Sequence, residues 1–226
     1  MTDPRDDLAD SGMVIAWKNL TAEPWRNGGG VTRQVLSRRL ASSGGWIPAE
    51  HDWDWRLSIA DVDSSGPFSA FPGMTRILTV IEGAGITLTV DGRVENLERY
   101  RPFEFDGGAE TSAALPHGPI RDLNLIARTG AVSADVTIEH VDARRPLLVQ
   151  GTQYCILLHG QASLRPAADS ASERAAAVDL ERYDTVVGSA AHQHAIIADG
   201  VVAVISIVAV AGAADALSRP DRPGLR

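Results

Sequence analysis

Cysteine and lysine are nearly absent from this chain of 226 residues: Cys155 is the only cysteine and Lys18 the only lysine. A single cysteine excludes an internal disulfide and a cysteine-rich zinc site. Basic charge is in deficit as well, because 21 Lys and Arg residues face 29 Asp and Glu residues and leave a net charge of −8. That balance repels nucleic-acid phosphates and anionic lipid surfaces, so the sequence predicts neither as a partner.

Long hydrophobic runs are also missing. The longest one, residues 201–211, is interrupted by Ser206 and is well short of the roughly 20 residues that span a bilayer. Residues 1–10 are acidic and contain no apolar stretch of the kind found in signal peptides. With 44% hydrophobic residues the chain still has enough apolar side chains for a substantial core. We therefore expect a cytoplasmic globular protein that does not contact the membrane.

Alternation of apolar and polar residues with a period of two is common and predicts β-strands. In residues 53–60, Trp, Leu and Ile alternate with more polar residues, which is typical of a half-buried strand. Turns at Glu82-Gly83 and Asp91-Gly92 separate short apolar segments. The predicted strands include residues 31–37, 53–60, 77–81, 86–90, 136–141, 154–158 and 201–210. Short strands divided by such turns favour an all-β sandwich or barrel.

An internal repeat divides the sequence into two similar halves. The tetrapeptide at residues 97–100, Leu-Glu-Arg-Tyr, recurs at residues 180–183. Upstream of each copy lies an apolar strand that is predicted to close in a glycine turn, at Gly83 and at Gly160. We expect a duplication, with two similar β-barrels joined near residues 143–151.

The order of strands and turns in each half is that of a cupin jelly roll, and three segments make the resemblance specific. They are residues 24–33 (Pro-Trp-Arg-Asn-Gly-Gly-Gly-Val-Thr-Arg), residues 55–76 with Trp55-Arg56-Leu57-Ser58 and Phe71-Pro72-Gly73, and residues 105–124 with Phe105-Asp106-Gly107-Gly108 and Gly118-Pro119-Ile120-Arg121-Asp122-Leu123-Asn124. These segments resemble the HutD/Ves family, small bacterial bicupins linked to histidine utilisation and stress response. The resemblance covers about residues 14–211, but its distinctive motifs all precede Arg128.

The resemblance implies an RmlC-like double-stranded β-helix bicupin, with two cupin barrels in one chain. We expect residues 14–142 to form the first barrel, which holds the ligand pocket. Residues 143–212 are expected to form a smaller and mainly structural second barrel. Residues 1–12 and 215–226 are predicted to be mobile tails. The sequence leaves open whether the protein is a monomer or a homodimer.

The cupin metal-ligand positions carry other residue types here. The first motif falls on Ser69-Ala70-Phe71, with Arg76 near the position of the glutamate, and the second carries Arg121 in place of histidine. Such a set cannot hold a hard cation, so we predict a first barrel without a metal or other cofactor. The one His-x-His pair, His192 and His194 with Asp199 nearby, is either a metal triad or a solvated loop; we take it as a loop.

The two arginines at the cupin metal-ligand positions indicate that the pocket binds an anion. Arginine pairs bidentately with carboxylates, so Arg76 and Arg121 would make a cationic cavity if both project inward. Alternatively, both pair with internal acids such as Glu104 or Asp122, or lie outside the barrel. Ser58 and Asn124 are candidates to orient the ligand by hydrogen bonds, or else lie on the strand exterior.

A run of glycines precedes the first long strand. In Asn27-Gly28-Gly29-Gly30 the glycines expose backbone N–H groups that can cradle an anion, or they form a tight turn. The resemblance to HutD/Ves favours the functional alternative, so we include Asn27, Gly29 and Gly30 as candidate ligand-binding residues. Thr32 and Arg33 would then lie at the rim.

The sequence thus predicts a metal-free bicupin that binds a small carboxylate metabolite without turning it over. The resemblance implies a regulatory or buffering role in histidine catabolism, with urocanate or an N-formylglutamate-like ligand. An alternative is an isomerase or hydrolase that uses arginine electrostatics, with Glu104 or His117 as acid or base. A third is a metal-dependent dioxygenase built on His192 and His194.

Overall fold

Strands make up nearly all the regular structure of the chain. The structure, a computed structural model, describes residues 13–167, 177–191 and 193–213. Apart from strands, it contains a single 3₁₀ turn at Trp17–Asn19 within these residues, and none of their helices has the length and apolar character needed to cross a membrane. The all-β prediction is confirmed. The predicted tails and His192 lie outside the described residues.

The chain divides into two compact units. Among the described residues, the first unit comprises residues 21–134 with 208–213, and the second unit comprises residues 13–20 with those between 135 and 207. The predicted boundaries, 14–142 and 143–212, differ from this division at both ends of the chain. Strand β1 (Val14–Ile15) belongs to the second unit because it pairs with Thr185–Val187.

The first unit contains two antiparallel sheets. The larger has the strand order β10-β7-β12-β5-β3-β2, with β4 on β3, and the smaller has the order β6-β11-β8-β9. The strands are β2 (Ala22–Pro24), β3 (Gly30–Leu40), β4 (Trp46–Pro48), β5 (Trp55–Val62), β6 (Gly66–Pro67), β7 (Met74–Glu82), β8 (Ile86–Val90), β9 (Arg93–Leu97), β10 (Phe103–Asp106), β11 (Thr111–Ala114) and β12 (Ile120–Arg128). Buried side chains of both sheets, such as Val80 from β7 and Leu88 from β8, form one core cluster.

The second unit is a single sheet of seven strands. Its order is β1-β17-β15-β18-β13, with β14 paired to β18 and β16 to β15. The strands after β12 are β13 (Val132–Val141), β14 (Leu147–Val149), β15 (Gln153–Pro166), β16 (Val178–Leu180), β17 (Thr185–Val187) and β18 (His194–Ala209). Cys155, Leu157, Val202 and Val204 belong to its buried cluster. Burial raises the pKa of the Cys155 thiol to about 12, as expected for an inert core cysteine.

The predicted turn at Asp91-Gly92 is confirmed, whereas the predicted strand end at Gly160 is wrong. Asp91 and Gly92 join β8 to β9 with φ angles of 47° and 78°, as a two-residue hairpin requires. Gly160 does not end a strand. It lies inside β15, opposite Gly200, because β18 continues to pair with β15 beyond this point. A bulge between Leu157 and His159 comes just before it.

The repeated tetrapeptide makes the same turn in both units. Tyr100 and Tyr183 have left-handed φ angles of 66° and 71°. The N–H of Tyr100 donates to the Val80 carbonyl, and that of Tyr183 donates to the Leu157 carbonyl. The preceding arginines use Nε to reach the next carbonyl along, at 3.0 Å in the first unit and 2.8 Å in the second. Such matching contacts are what a duplication predicts.

Candidate ligand-binding cavity

A cavity of about 990 Å³ opens in the first unit, on one face of the larger sheet. Its walls come from β5, β7 and β12 and from the segments before β3 and after β6. The lining residues are Glu23, Pro24, Trp25, Arg26, Asn27, Thr32, Arg56, Ser58, Ala60, Pro67, Phe68, Ser69, Ala70, Phe71, Pro72, Arg76, Asp122, Asn124 and Ile126. Apolar rings and charged groups therefore share one open cavity.

The register of three neighbouring strands places two arginines side by side on the sheet face that lines the cavity. Ile126 of β12 lies opposite Arg56 of β5 on one side and Arg76 of β7 on the other. Because side chains on one face recur every second residue, Ser58 and Asn124 make up the next row. The two guanidinium groups are thus separated by a single strand.

Arg76 is buried and fixed from several sides. Its Nη2 donates to Asn124 Oδ1 at 2.8 Å, and its Nη1 donates to the Ser69 carbonyl at 3.3 Å. The guanidinium also lies over the rings of Phe68 and Phe105, at 5.2 Å from each centroid. Burial lowers the pKa of Arg76 to about 10. The charge of Asp122 opposes this lowering, and the charge of Arg56 adds to it. The side chain therefore stays charged at neutral pH. Its Nε is buried and has no hydrogen-bond partner among the described residues.

Arg56 is held mainly by aromatic rings. Its guanidinium lies 4.9 Å from the ring centroid of Trp53 and 5.2 Å from that of Phe71. Burial lowers the pKa of Arg56, while the charge of Glu23 at the cavity edge opposes that effect. Its buried Nε has no hydrogen-bond partner within the part of the chain that the structure describes.

Asp122 is the buried acid of the cavity. Its Oδ1 accepts a hydrogen bond from Asn124 Nδ2, while its Oδ2 is buried without a partner among the residues described. Burial raises the pKa of Asp122 to about 7, although the charge of Arg76 and the hydrogen bond from Asn124 work in the opposite direction. Near neutral pH this carboxyl group exchanges its proton.

Arg121 does not reach the cavity, which corrects the prediction that it forms the site with Arg76. Its guanidinium contacts Asp61 at 2.5 Å and Glu82 at 3.5 Å. Asp61 also accepts from Arg33 at 2.9 Å. Since Asp61 alternates with Ala60 along β5, this ion-pair cluster lies on the face of the strand that points away from the cavity. Arg33 is therefore not a rim residue either.

The glycine loop contributes side chains to the cavity. Asn27 and Thr32 line it, but Gly29 and Gly30 do not. The N–H of Gly29 donates to Asn27 Oδ1 at 3.0 Å. At Gly30 a Cβ atom would lie 2.1 Å from the Asp61 carbonyl oxygen. Close packing against β5 therefore accounts for Gly30, and an anion cradle is not needed to explain it.

Some of the other predicted positions line the cavity and some do not. Ser69, Ala70 and Phe71 line the cavity beside Arg76, as the cupin motif positions predict. Glu104 and His117 do not line the cavity, and both are exposed. Glu104 points outward because its neighbours in β10 turn their rings toward the interior. Within residues 13–167, 177–191 and 193–213, no three His, Cys, Asp or Glu side chains are grouped as metal ligands would be.

Arg56 was not predicted as a cavity residue, and Asp122 was predicted only as an internal acid that could pair with an arginine, although both act on the charge of Arg76. A usable signal was present, since Ser58 and Asn124 were already candidates for the cavity. Arg56 precedes Ser58 by two residues, and Asp122 precedes Asn124 by two, so strand alternation places each pair on one face.

Comparison with known proteins fits this geometry. A family model described as HutD matches residues 17–205. The chain belongs to the HutD family. An uncharacterized 21.2 kDa protein from the hutC 3′ region of Pseudomonas putida is 43% identical over 104 residues, which are 46% of this chain and 51% of that protein. Protein Ves of Citrobacter koseri is 36% identical over 116 residues, 50% of this chain and 56% of its own length. The chain thus spans about half the length of the curated relatives it matches.

Solved structures extend the HutD match over most of the chain. A conserved protein of unknown function from Pseudomonas aeruginosa PAO1 has a TM-score of 0.69 and 26% identity, and HutD from Pseudomonas fluorescens SBW25 has 0.66 and 28%; each comparison covers 87% of this chain and 98% of the other. A mutant of Bacillus subtilis oxalate decarboxylase has a TM-score of 0.59 at 8% identity, over 88% of this chain and 79% of its own. That distant likeness shows the fold alone and confirms the jelly-roll cupin prediction. The division into two complete cupin barrels stays a prediction.

Proposed function

We propose that this HutD-family chain binds a small carboxylate metabolite in the cavity, in the cytoplasm and without turning it over. The observation that carries the proposal is the pair of guanidinium groups, Arg56 and Arg76, which face one cavity. Each keeps a buried Nε without a hydrogen-bond partner among the described residues. A carboxylate offers two oxygens that accept from such donors.

The charge inside the cavity also favours an anion. The charge of Arg56 helps to lower the pKa of Arg76, and Asp122, whose pKa is about 7, is half-neutralised near neutral pH. Glu23 lies at the exposed edge, where water screens its charge. Buried positive charge without full compensation is costly, and a bound anion would offset that cost.

We place the role in histidine catabolism, as a regulator or buffer of an intermediate such as urocanate or an N-formylglutamate-like acid. Two relatives support this assignment. One is a protein of the hutC 3′ region of Pseudomonas putida, and the other is HutD of Pseudomonas fluorescens SBW25. Phe68, Phe71 and Trp25 would contact the apolar part of such a ligand.

Catalysis by Glu104 or His117 is not proposed further, because both side chains are exposed and lie outside the cavity. A general acid or base must reach the reacting atoms within hydrogen-bond distance, directly or through one water molecule.

A thermal-shift screen tests the proposal. Urocanate, N-formyl-L-glutamate, L-glutamate and formate are added at millimolar concentration, and at least one is expected to raise the melting temperature, since a ligand of the native state stabilises it. If none of the four raises it, the proposal is contradicted. Incubation with the best ligand should leave that ligand chemically unchanged.

Substitutions then place the site. Arg56→Met and Arg76→Met should weaken binding at least tenfold, because a hydrogen bond to a charged group contributes about 1.5–3 kcal/mol. Arg121→Met removes an arginine outside the cavity and should keep the ligand-induced shift, as should Arg93→Met on the exposed strand β9. A shift that survives in Arg56→Met but disappears in Arg121→Met would move the site to the opposite face of the sheet.

A further inference from the structure

Asp122 is a buried acid in the wall of the cavity, and binding of an anion by the two arginines does not account for its presence there. Its carboxyl group is fully buried at the cavity wall and uses only one oxygen for a hydrogen bond to Asn124. The other oxygen, Oδ2, has no partner among the residues that the structure describes. A buried polar atom of this kind carries a free-energy cost unless something in the functional state satisfies it.

The charged groups around Asp122 come from the two strands that flank β12. Arg76 on β7 attracts its charge, and Asp61 on β5 opposes it. Arg56, also on β5, acts through its repulsion of Arg76. Asp61 is itself engaged by arginines of β3 and β12 on the other face of the sheet. The cavity charge that an arriving anion meets is therefore set by Arg56, Arg76 and Asp122, with the exposed Glu23 and Arg26 at the rim.

We propose that carboxylate binding in this cavity is coupled to the uptake of one proton by Asp122. This rests on the proposed function. The anion takes up the guanidinium donors, and the protonated Asp122 donates through Oδ2 to an oxygen of the ligand. The proton comes from the solvent, and no covalent bond forms or breaks. The site thereby selects ligands that present an oxygen acceptor to Asp122 rather than an N–H donor.

The coupling follows from charge. In the free protein Asp122 exchanges its proton at about pH 7. A second negative charge beside Arg76 disfavours the ionised carboxylate and raises the pKa of Asp122 further. Below pH 7 the acid is already protonated and affinity does not depend on pH. Above pH 7 each binding event must take up a proton, so affinity falls by up to about tenfold per pH unit.

Calorimetric titration with N-formyl-L-glutamate between pH 6.0 and 8.5 tests this coupling. Carboxyl groups of this type titrate at about pH 4 or below, so the charge of the probe is constant over that range. The wild-type protein should lose affinity above pH 7, and titrations in two buffers of different ionisation enthalpy should show an uptake approaching one proton per ligand at pH 8.5. Asp122→Asn, a neutral isostere that keeps the oxygen acceptor for Asn124, should bind with the same affinity across the range.

Glu95→Gln supplies the matched control, because it removes an exposed acid of β9 by the same chemical change. Its pH profile should follow the wild type. Wild-type affinity that is constant with pH, or that rises above pH 7, overturns the proton coupling and leaves the proposed function standing. Absence of binding at every pH contradicts the proposed function and the coupling with it.

A second measurement covers the case in which Asp122→Asn does not fold. The carboxyl carbon of Asp122 in the wild-type protein is followed by NMR as pH is varied, with and without saturating probe. The pKa of Asp122 should rise by roughly 2.5 units or more on saturation, as an uptake approaching one proton at pH 8.5 requires. An unchanged pKa overturns the proposal.

Discussion

Asp122 and Arg76 show how burial governs the chemistry of single residues in this protein. Both are ionisable, both are buried, and burial shifts the pKa of each toward the neutral form. The shift leaves Arg76 charged at neutral pH, because the pKa of a guanidinium starts far above 7. Asp122 moves into the range where small changes of pH alter its charge. The same physical cause therefore produces a permanent cation and a titrating acid in one cavity.

Asp122 should also make stability depend on pH in the absence of ligand. Its pKa rises from 3.8 to about 7 on folding, so between about pH 4 and 7 the folded state binds more protons than the unfolded state. The contribution of Asp122 to the free energy of unfolding must then fall as pH rises through that window and stay constant above it, a loss on the order of 4 kcal/mol, of which about 3 kcal/mol falls above pH 5. Urea unfolding at pH 5 and pH 8 measures it.

The comparison of variants isolates this contribution. The stability of Asp122→Asn relative to the wild type should increase from pH 5 to pH 8, whereas Glu95→Gln should change little relative to the wild type. Equal pH dependence of the wild type and Asp122→Asn would show that the carboxyl group titrates at its ordinary pKa.

Strand β5 shows how far sequence patterning predicts an element and its function. The alternation in residues 53–60 correctly predicts a strand, and Trp55, Leu57 and Ile59 are fully buried as expected. The half-buried pattern left open whether the other face meets solvent or lines a pocket, and Ser58 and Ala60 are buried there as well. A polar face that lines a cavity and one that meets water have the same sequence pattern, since both tolerate charged and small side chains.

The remaining differences at the candidate site have a common origin. Arg76 and Asn124 were separate candidates for the pocket, and the structure joins them by a hydrogen bond of 2.8 Å. Arg121 was wrongly predicted to face the cavity, because its ion-pair partner, Asp61, lies 60 residues away in the chain. The local sequence around Arg121 does not indicate this ion pair. Which side a residue faces near a bulge, such as that between Arg121 and Asp122, also depends on pairing that the sequence does not reveal.

The start of β3 offers a test at the scale of the element. Gly30→Ala should destabilise the protein by about 1–3 kcal/mol, because its Cβ would collide with the Asp61 carbonyl oxygen of the paired strand. Gly28 has a left-handed φ of 70° but open space around it. Gly28→Ala should therefore cost about 1 kcal/mol from backbone strain alone. Urea unfolding of both variants measures the difference, and a fully stable Gly30→Ala would contradict the close packing of β3 on β5.

At the scale of the whole molecule, the net charge disfavours anionic partners, whereas the cavity favours a small anion. The chain carries a net charge of −8, which argues against large anionic partners. The cavity of the first unit holds two arginines, so it can accept a small anion that the outer surface would repel. The matching Leu-Glu-Arg-Tyr turns show that the second unit shares a structural motif with the first, while the arginine pair belongs to the first unit alone among the described residues.

The most direct test of the account is an NMR titration of the arginine Nε–H groups with formate. The signals of Arg56 and Arg76, assigned through Arg56→Met and Arg76→Met, should shift together and saturate, since neither Nε has a hydrogen-bond partner among the described residues. The signal of Arg121, whose Nε donates to Asp61, should stay in place. Shifts confined to Arg121 and Arg33, or no saturable shift of Arg56 and Arg76, would contradict binding of a carboxylate in this cavity.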